Sequence, residues 1–212
     1  QERIIKGMVG RELDNLFPDH TPNIGEEIMR VEGWTVLHPT VAGRKVSDNA
    51  SFDVRAGEIV GIAGLMGAGR TELAMSLFGG AYGRKIGGKL FLHGKEVQLH
   101  SVAAAIDAGL AYATEDRKRY GLNLIDDIRR NISAASLDKI ANNGVVNSNE
   151  EIKNAERYRK ELRIKTPTVM NVVGQLSGGN QQKVVLSKWM MTSPEVLILD
   201  EPTRGIDVGA KY

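Results

Sequence analysis

The sequence predicts an α/β fold in which a mainly parallel core sheet is flanked by helices. Three observations support this prediction. A mostly apolar run at 58–63 leads into a glycine-rich turn and then into helical spacing. A second apolar run at 196–199 ends in two carboxylates, and the segment 126–191 before it is mostly helical in its periodicity. Strands that alternate with helices in this way are typical of a parallel sheet.

Shorter patterns predict the remaining elements. Alternating segments, one of which turns through His93 and Gly94, predict an antiparallel β layer beside the core. These segments lie at 28–32, 50–54, 89–92 and 95–97. A short helix is predicted at 101–108, and 149–162 is predicted to be a helix with one charged face.

The turn at 64–71 fits the phosphate-loop pattern G-x-x-x-x-G-K-[ST] at every position but one, where Arg70 replaces Lys. Backbone N–H groups at the start of a helix bind anionic oxygens, and the helix dipole adds to this preference. Gly64, Gly67 and Gly69 leave room for a phosphate and let the backbone curl around it. On the loop alone, a plain tight turn is the alternative.

The predicted strand at 196–199 delivers Asp200 and Glu201 at its carboxyl end, where open α/β sheets bind ligands. Because Mg²⁺ takes few protein ligands and keeps several waters, we expect Thr71 and Asp200 to share one Mg²⁺. Glu201 is expected to be the catalytic residue that activates a water for attack on a γ-phosphate. The alternative is that both acids are solvated residues that close a strand.

A second helix start is predicted after residue 177. Ser177 is expected to cap a helix that begins at Asn180, and two glycines leave no bulky side chain in front of its N–H groups. These features predict a second anion site. The apolar residues further along this helix, including Trp189, are expected to belong to the core.

Several segments resemble the motifs of an ATP-binding cassette (ABC) ATPase, a type of P-loop NTPase. LSGGNQQK resembles the signature motif, LILDEPT the Walker B motif and GIDVGAK the D-loop. More narrowly, GEIVGIAGLMGAGRTEL, ATEDRKRYGL and DEPTRGIDVGAK resemble the second of two cassettes in the ATP-binding subunit of bacterial monosaccharide importers, such as the ribose, galactose, xylose and multiple-monosaccharide systems. The resemblance covers nearly the whole chain.

This resemblance implies ATP and Mg²⁺ as cofactors, with the metal held by Thr71 and Asp200 and with Glu201 catalytic. It also implies a set of nucleotide-binding residues. They are Gly64, Gly67, Ala68, Gly69, Arg70, Thr71, Glu72, Glu115, Ser177, Gly178, Gly179, Gln181 and Asp207. In this family the signature residues face a nucleotide on the opposite cassette, so neither cassette completes a site alone.

The chain departs from the family pattern at three positions. Arg70 carries the charge of the usual Lys but not its geometry, so it is expected to permit binding and to slow hydrolysis. Glu72 replaces a hydroxyl residue and places a negative charge near the α-phosphate. Glu115 takes the place of the Q-loop glutamine and is expected to approach Mg²⁺, with a charged loop as the alternative. The stretch 40–42 offers no aromatic residue to stack on adenine.

The composition excludes several other classes of site. The 212 residues contain no Cys, which excludes disulfide scaffolds and thiolate metal sites, and the four His show no ligand spacing. The formal net charge is +2 and no basic stripe is present, so no nucleic-acid partner is expected. The sequence shows neither a secretory signal nor an apolar run of 18 residues. Any membrane role is therefore expected to come through a partner.

Residues 1–27 are predicted to be a linker from a preceding cassette, and 28–212 an incomplete ABC ATPase domain with a helical subdomain at about 116–191. We interpret the end at Tyr212 as a C-terminal truncation, which predicts exposed sheet edges and an inactive isolated fragment.

The resemblance implies three kinds of partner at the cytoplasmic face of the cell membrane, where the subunit would be peripheral. They are the first cassette of the same subunit, membrane permease subunits and, indirectly, an extracytoplasmic sugar-binding protein. Two alternatives stay open: a non-hydrolysing regulatory nucleotide-binding module, and a soluble ABC ATPase without a transport role.

Overall fold

The computed structural model describes residues 21–206, which divide into two compact units. The strand-rich unit contains Pro22–Glu115 and Trp189–Asp200. The helical unit contains Asp116–Lys188 and residues 201–206. Most of the predicted linker and Asp207 lie outside the described residues.

The antiparallel layer of the strand-rich unit is a four-stranded sheet in the order β2-β1-β3-β4. Its strands are β1 (Glu27–Leu37), β2 (Lys45–Arg55), β3 (Arg84–Leu92) and β4 (Lys95–Val97). The central strand β1 buries Met29, Val31, Trp34 and Val36, with the register shifting between Val31 and Trp34. This layer confirms the hairpin-like patterns, although three of the strands are longer than those patterns predict.

The core of the strand-rich unit contains a parallel pair, β5 (Leu110–Ala113) and β8 (Val196–Leu199). All four residues of β5 are buried. The helices of this unit are α1 (Arg70–Leu77) and α2 (Val102–Asp107). α2 confirms the helix predicted at 101–108. The Ser101 hydroxyl caps it by accepting a hydrogen bond from the Ala104 N–H at 3.1 Å.

The expectation of a buried parallel strand at 58–63 is wrong. Within the described residues this segment pairs with no strand, and its apolar side chains are exposed, Ile59 to 89%. β8 likewise has one described neighbour, β5, and leaves Leu197 and Leu199 partly exposed. A strand is stabilised by a neighbour that pairs with it, and an apolar composition alone does not supply one.

The helical unit is less continuously helical than its sequence predicts. Its helices are α3 (Ile128–Ser133), α4 (Ser148–Glu161) and α5 (Gly178–Met191), whose last residues belong to the strand-rich unit. Shorter elements separate them: a π-helical turn at Arg117–Gly121, 3₁₀ turns at Leu137–Ile140 and Val173–Gln175, and a hairpin of β6 (Ala141–Asn142) and β7 (Val145–Val146). Within the described part of the chain, no helix is long and apolar enough to cross a membrane.

Candidate nucleotide-binding site

The phosphate loop enters helix α1 through a left-handed glycine. Gly69 has φ 85° and occupies the N-cap position of α1, which has no side-chain cap. A Cβ at this position would collide with the Val46 carbonyl oxygen, so both the backbone conformation and the close approach of β2 require glycine. Because no side chain occupies the start of α1, its N–H groups are suited to an anionic oxygen.

Thr71, in the first turn of α1, contacts Glu115 at the end of the β5 segment. The Thr71 hydroxyl donates a hydrogen bond to Glu115 Oε2 at 3.3 Å, and the two side chains are part-buried. A hydroxyl that donates its hydrogen keeps its lone pairs for a cation. The pair therefore fits a hard cation such as Mg²⁺, which prefers oxygen ligands.

Asp200 is anchored at the carboxyl end of β8 by two hydrogen bonds. Its backbone N–H donates to the Ala113 carbonyl at 2.9 Å, and its Oδ2 accepts from the Tyr112 hydroxyl at 2.9 Å. Burial, together with the negative charge of Asp200, raises the pKa of Tyr112 well above its ordinary value. The phenol is consequently a neutral donor to the carboxylate across the physiological pH range.

The two unusual residues of the loop also lie in the strand-rich unit. A Cβ on Gly64 would lie 3.6 Å from Cδ of Arg70, which places the aliphatic stem of the arginine beside the loop backbone. The charge of Glu72 is near enough to Tyr112 to contribute, as the smallest cause, to the raised pKa of that phenol.

Within residues 21–206, no group of three or more His, Asp or Glu side chains is arranged to hold a metal ion. A cation at this site would depend on few protein ligands, as Mg²⁺ sites with bound phosphates commonly do. The oxygen donors that the structure places in the strand-rich unit fit that chemistry.

Glu201 belongs to the helical unit and follows Asp200 in the chain. Its φ is 45°, a left-handed conformation that is uncommon for a residue with a long side chain. The Arg204 N–H donates to the Glu201 carbonyl at 3.0 Å and closes a turn. An uncommon backbone conformation held by a turn is typical of functional positions.

The signature segment opens helix α5 in the helical unit. The helix begins at Gly178, two residues before the predicted start at Asn180, and the Gln181 N–H donates to the Ser177 carbonyl at 2.9 Å. The Ser177 hydroxyl accepts from the Asn180 side-chain amide at 3.0 Å, which differs from the expected capping of the backbone. Gly179 and Gln181 are buried, and Oε1 of Gln181 has no hydrogen-bond partner within the described residues.

Arg117 lies against the first glycine of this helix. Its Nη1 donates to the Arg204 carbonyl at 2.9 Å. A Cβ on Gly178 would lie 2.7 Å from Arg117 Nη2 and 2.9 Å from the Gly205 carbonyl oxygen. Because the Gly205 oxygen belongs to the backbone, a Cβ here would have to displace main chain as well as the Arg117 side chain, which favours a glycine at position 178.

A cavity of about 310 Å³ lies in the helical unit beside the π-helical turn. Lys188, whose Nζ donates to the Gly121 carbonyl at 2.6 Å, lies on its wall. Burial lowers the pKa of Lys188 to about 8. Arg119, Arg130 and Asp126 also line this cavity.

Neither tryptophan is arranged as a platform for adenine. Trp189 is 8% exposed and packs edge-on against Phe78, with ring centroids 5.4 Å apart, which confirms its prediction as a core residue. Trp34 is 5% exposed and donates from Nε1 to the Ser76 hydroxyl at 2.9 Å. Both side chains serve the packing of the strand-rich unit.

The structure divides the predicted site residues between the two units. The phosphate loop, Glu115 and Asp200 lie in the strand-rich unit, and the signature residues and Glu201 lie in the helical unit. Tyr112 and Arg117 contact these residues but were not predicted from the sequence. A tyrosine in a buried strand looks like core, and Arg117 lies in a charged run that looks like a solvated loop.

A family model described as ABC transporter matches residues 47–204. Over 212 residues the chain is 58% identical to the L-arabinose transport ATP-binding protein AraG of Geobacillus stearothermophilus, covering 100% of this chain and 41% of that protein. It is 53% identical over 214 residues to the xylose import ATP-binding protein XylG of Thermoanaerobacter pseudethanolicus, covering 100% of this chain and 42% of that protein. The chain thus spans about two fifths of the length of these relatives.

Two solved structures resemble the fold. One is the ADP conformation of MJ1267, an ATP-binding cassette of an ABC transporter, with a TM-score of 0.67 and 19% identity over 88% of this chain and 73% of that chain. The other is the dimeric post-hydrolysis state of the cassette MJ0796 bound to ADP and Pi, with a TM-score of 0.70 and 16% identity over 86% of this chain and 78% of that chain. At these identities the likeness shows the fold.

Proposed function

This chain belongs to the ABC transporter family, and from that premise we propose that it forms part of the ATP-binding subunit of a monosaccharide importer. The observation that carries the proposal is its similarity, along its whole length, to proteins named for L-arabinose transport and xylose import. Pentoses are therefore the first sugars to test.

We assign nucleotide binding to the phosphate loop. The uncapped start of α1 supports this assignment, because N–H groups there face no competing side chain. Gly64, Gly67 and Ala68 would lie along the phosphates, with Arg70 in the position of the usual lysine. Arg presents a planar fork where Lys presents a compact charge, so the β- and γ-phosphates are held with altered geometry and hydrolysis is slower here.

We assign Mg²⁺ to Thr71 and Asp200, with Glu115 acting on Thr71. When bound, the metal supplies charge stabilisation to the phosphates. Glu115 accepts a hydrogen bond from the Thr71 hydroxyl and so orients the lone pairs of the Thr71 oxygen. Glu72 adds a further negative charge in the first turn of α1, near the nucleotide.

Glu201 is the residue we assign to catalysis, as the base that takes a proton from the attacking water. Its backbone turn, with φ 45°, supports a functional role. Asp207, in the segment that resembles the D-loop, is proposed to contribute to nucleotide binding, as the family motif implies.

The helical unit is proposed to serve a nucleotide on a different cassette. Ser177, Gly178, Gly179 and Gln181 lie at the start of a helix of 14 residues, where the helix dipole and the first backbone N–H groups favour an anion. The first cassette of the same subunit is the proposed partner, since its phosphate loop would bind the ATP that these residues face. In this division, the more active site uses this chain's signature and the slower site uses its phosphate loop.

Membrane permease subunits and, indirectly, an extracytoplasmic sugar-binding protein complete the proposed assembly at the cytoplasmic face of the membrane. Reconstitution of the full-length subunit with its permease and binding protein in liposomes tests this proposal. We expect ATP-dependent uptake of L-arabinose or xylose. Failure to take up any monosaccharide, with the complex intact, would contradict it.

The main alternative function is that of a regulatory module that binds nucleotide without hydrolysing it. Arg70, in place of the usual Lys, favours this alternative. Glu201→Gln in the full-length subunit separates the two. Under the importer proposal, uptake falls because the base is lost while the carboxamide keeps the size of the side chain. Unchanged uptake in the variant would favour the regulatory module.

A further inference from the structure

The end of β8 is hydrogen-bonded to β5 as far as Asp200. The two strands are parallel, with Tyr112 opposite Ile198 and Ala113 opposite Leu199. The backbone N–H of Asp200 extends this ladder by donating to Ala113. The backbone of Asp200 is thus set by the sheet, which leaves the orientation of its carboxylate to side-chain contacts.

We propose that Tyr112 is a positioning residue for the metal site, holding the carboxylate of Asp200 in one orientation through the hydrogen bond from its hydroxyl to Oδ2, 2.9 Å away. This inference rests on the proposed function, in which Asp200 binds Mg²⁺. Tyr112 engages one carboxylate oxygen and so directs the other to the cation. Hydrogen bonds to metal-binding carboxylates commonly have this orienting effect.

A tyrosine suits this role because its hydroxyl is a neutral donor. A lysine or arginine at the same place would pair with Asp200 and compete with a cation for its charge. The phenol orients the carboxylate and leaves its full negative charge for the metal.

The tyrosine ring is itself held in place. Tyr112 is 6% exposed, and its ring lies 5.8 Å from that of Phe78, centroid to centroid. Phe78 follows directly after α1, the helix that the phosphate loop begins. The ring of Trp189 packs edge-on against the ring of Phe78, with an interplanar angle of 90°. The phenol is therefore a buried donor, packed against the residue that ends the helix carrying Thr71.

The alternative is that the hydroxyl only satisfies a buried polar contact. The two roles differ in one respect: a positioning residue changes the metal dependence of nucleotide binding, whereas a structural residue changes stability without that dependence. Tyr112→Phe removes the hydroxyl and keeps the ring. Tyr158→Phe is the matched control, because Tyr158 is also buried, at 5% exposure, and lies in α4 of the helical unit.

The test uses the full-length subunit and a titration with Mn²⁺ in the presence of ADP, followed by electron paramagnetic resonance. We expect Tyr112→Phe to weaken one class of Mn²⁺ sites by about tenfold and to leave the other class, and ADP affinity in EDTA, unchanged. Tyr158→Phe should leave both classes unchanged. If wild type and Tyr112→Phe bind Mn²⁺ alike, the positioning role is wrong although the proposed metal site stands.

A second variant checks that the effect passes through Asp200. In an Asp200→Asn background, addition of Tyr112→Phe should cause no further loss of Mn²⁺ affinity, because the oriented carboxylate is already gone. An additional loss of similar size would overturn the inference. If Asp200→Asn itself leaves both classes of Mn²⁺ sites unchanged, the metal assignment fails, and the inference fails with it.

Discussion

The hydroxyl of Thr71 donates a hydrogen bond to Glu115 across 44 positions of sequence. Thr71 belongs to the predicted phosphate loop, and Glu115 is the residue expected at the Q-loop position. The contact joins the last position of the phosphate-loop pattern to one of the three positions at which the sequence is expected to depart from the family pattern. Its chemical consequence is that the hydroxyl donates to a carboxyl group, which offers two oxygens as acceptors where a glutamine would offer one amide oxygen.

Glu115→Gln is expected to keep this hydrogen bond, because the amide oxygen also accepts, while removing one negative charge. Metal affinity in the presence of ADP should fall by about tenfold, and ADP affinity in EDTA should rise because a carboxylate no longer repels the phosphates. Isothermal titration of the full-length subunit with ADP, with and without Mg²⁺, measures both effects. Glu96→Gln, in the exposed pair with Lys89, is the control. A variant in which neither affinity changes would remove Glu115 from the site.

Arg70→Lys is expected to raise hydrolysis at this chain's own nucleotide site. A lysine restores a compact charge for the β- and γ-oxygens, and we expect a gain of about tenfold in rate, or about 1.4 kcal/mol in activation free energy. The rate is measured in the reconstituted complex with the phosphate loop of the first cassette disabled, which isolates the slower site. An unchanged or lower rate of ATP hydrolysis would show that Arg70 does not slow hydrolysis at this site.

Gly178→Ala is expected to destabilise the helical unit and to lower ATP turnover. Its Cβ would approach Arg117 Nη2 to 2.7 Å and the Gly205 carbonyl to 2.9 Å, and crowding of this kind costs about 1–3 kcal/mol. The urea midpoint of the full-length subunit measures the loss.

Two further variants locate the cause. Arg117→Ala should relieve part of the penalty of Gly178→Ala, because one of the two contacts disappears while the Gly205 carbonyl remains. Gly87→Ala is the control, since the nearest atom to its Cβ is 3.9 Å away. Equal penalties with and without Arg117 would contradict the assigned contact.

Lys188 is expected to make the free energy of unfolding depend on pH in the alkaline range. Its pKa is lowered from 10.5 to about 8 by burial, so the unfolded chain binds more protons than the folded chain between these values. The free energy of unfolding therefore rises with pH from about 8 to about 10.5, and below pH 8 the buried charge costs the folded state its full penalty.

Lys188→Met should remove this rise, which we expect to be on the order of 1–3 kcal/mol. Urea midpoints at pH 7 to 10 measure it. The control is Lys183→Met on the same helix, whose Nζ donates to the Arg163 carbonyl at 3.2 Å in an exposed position. If the urea midpoints of wild type and Lys188→Met change with pH in parallel, the buried ammonium does not cause the rise in stability.

The sequence by itself determined the features that depend on neighbours in the chain. Glycines at 67 and 69 mark a turn with positive φ, and the apolar run of β8 followed by an acid marks the end of a strand. The hairpin of β3 and β4 follows from residues that are adjacent in sequence. These features were enough to indicate the family and the main candidate residues.

Only the tertiary structure decided which distant side chains meet. Tyr112 reaches Asp200 across 88 positions and Arg117 reaches the Arg204 carbonyl across 87, and no local pattern marks either contact. The segment 58–63 shows the converse, because its apolar composition predicts a buried strand although no strand among residues 21–206 pairs with it. Pairing and burial depend on atoms supplied from elsewhere in the chain, and a single stretch of sequence does not contain them.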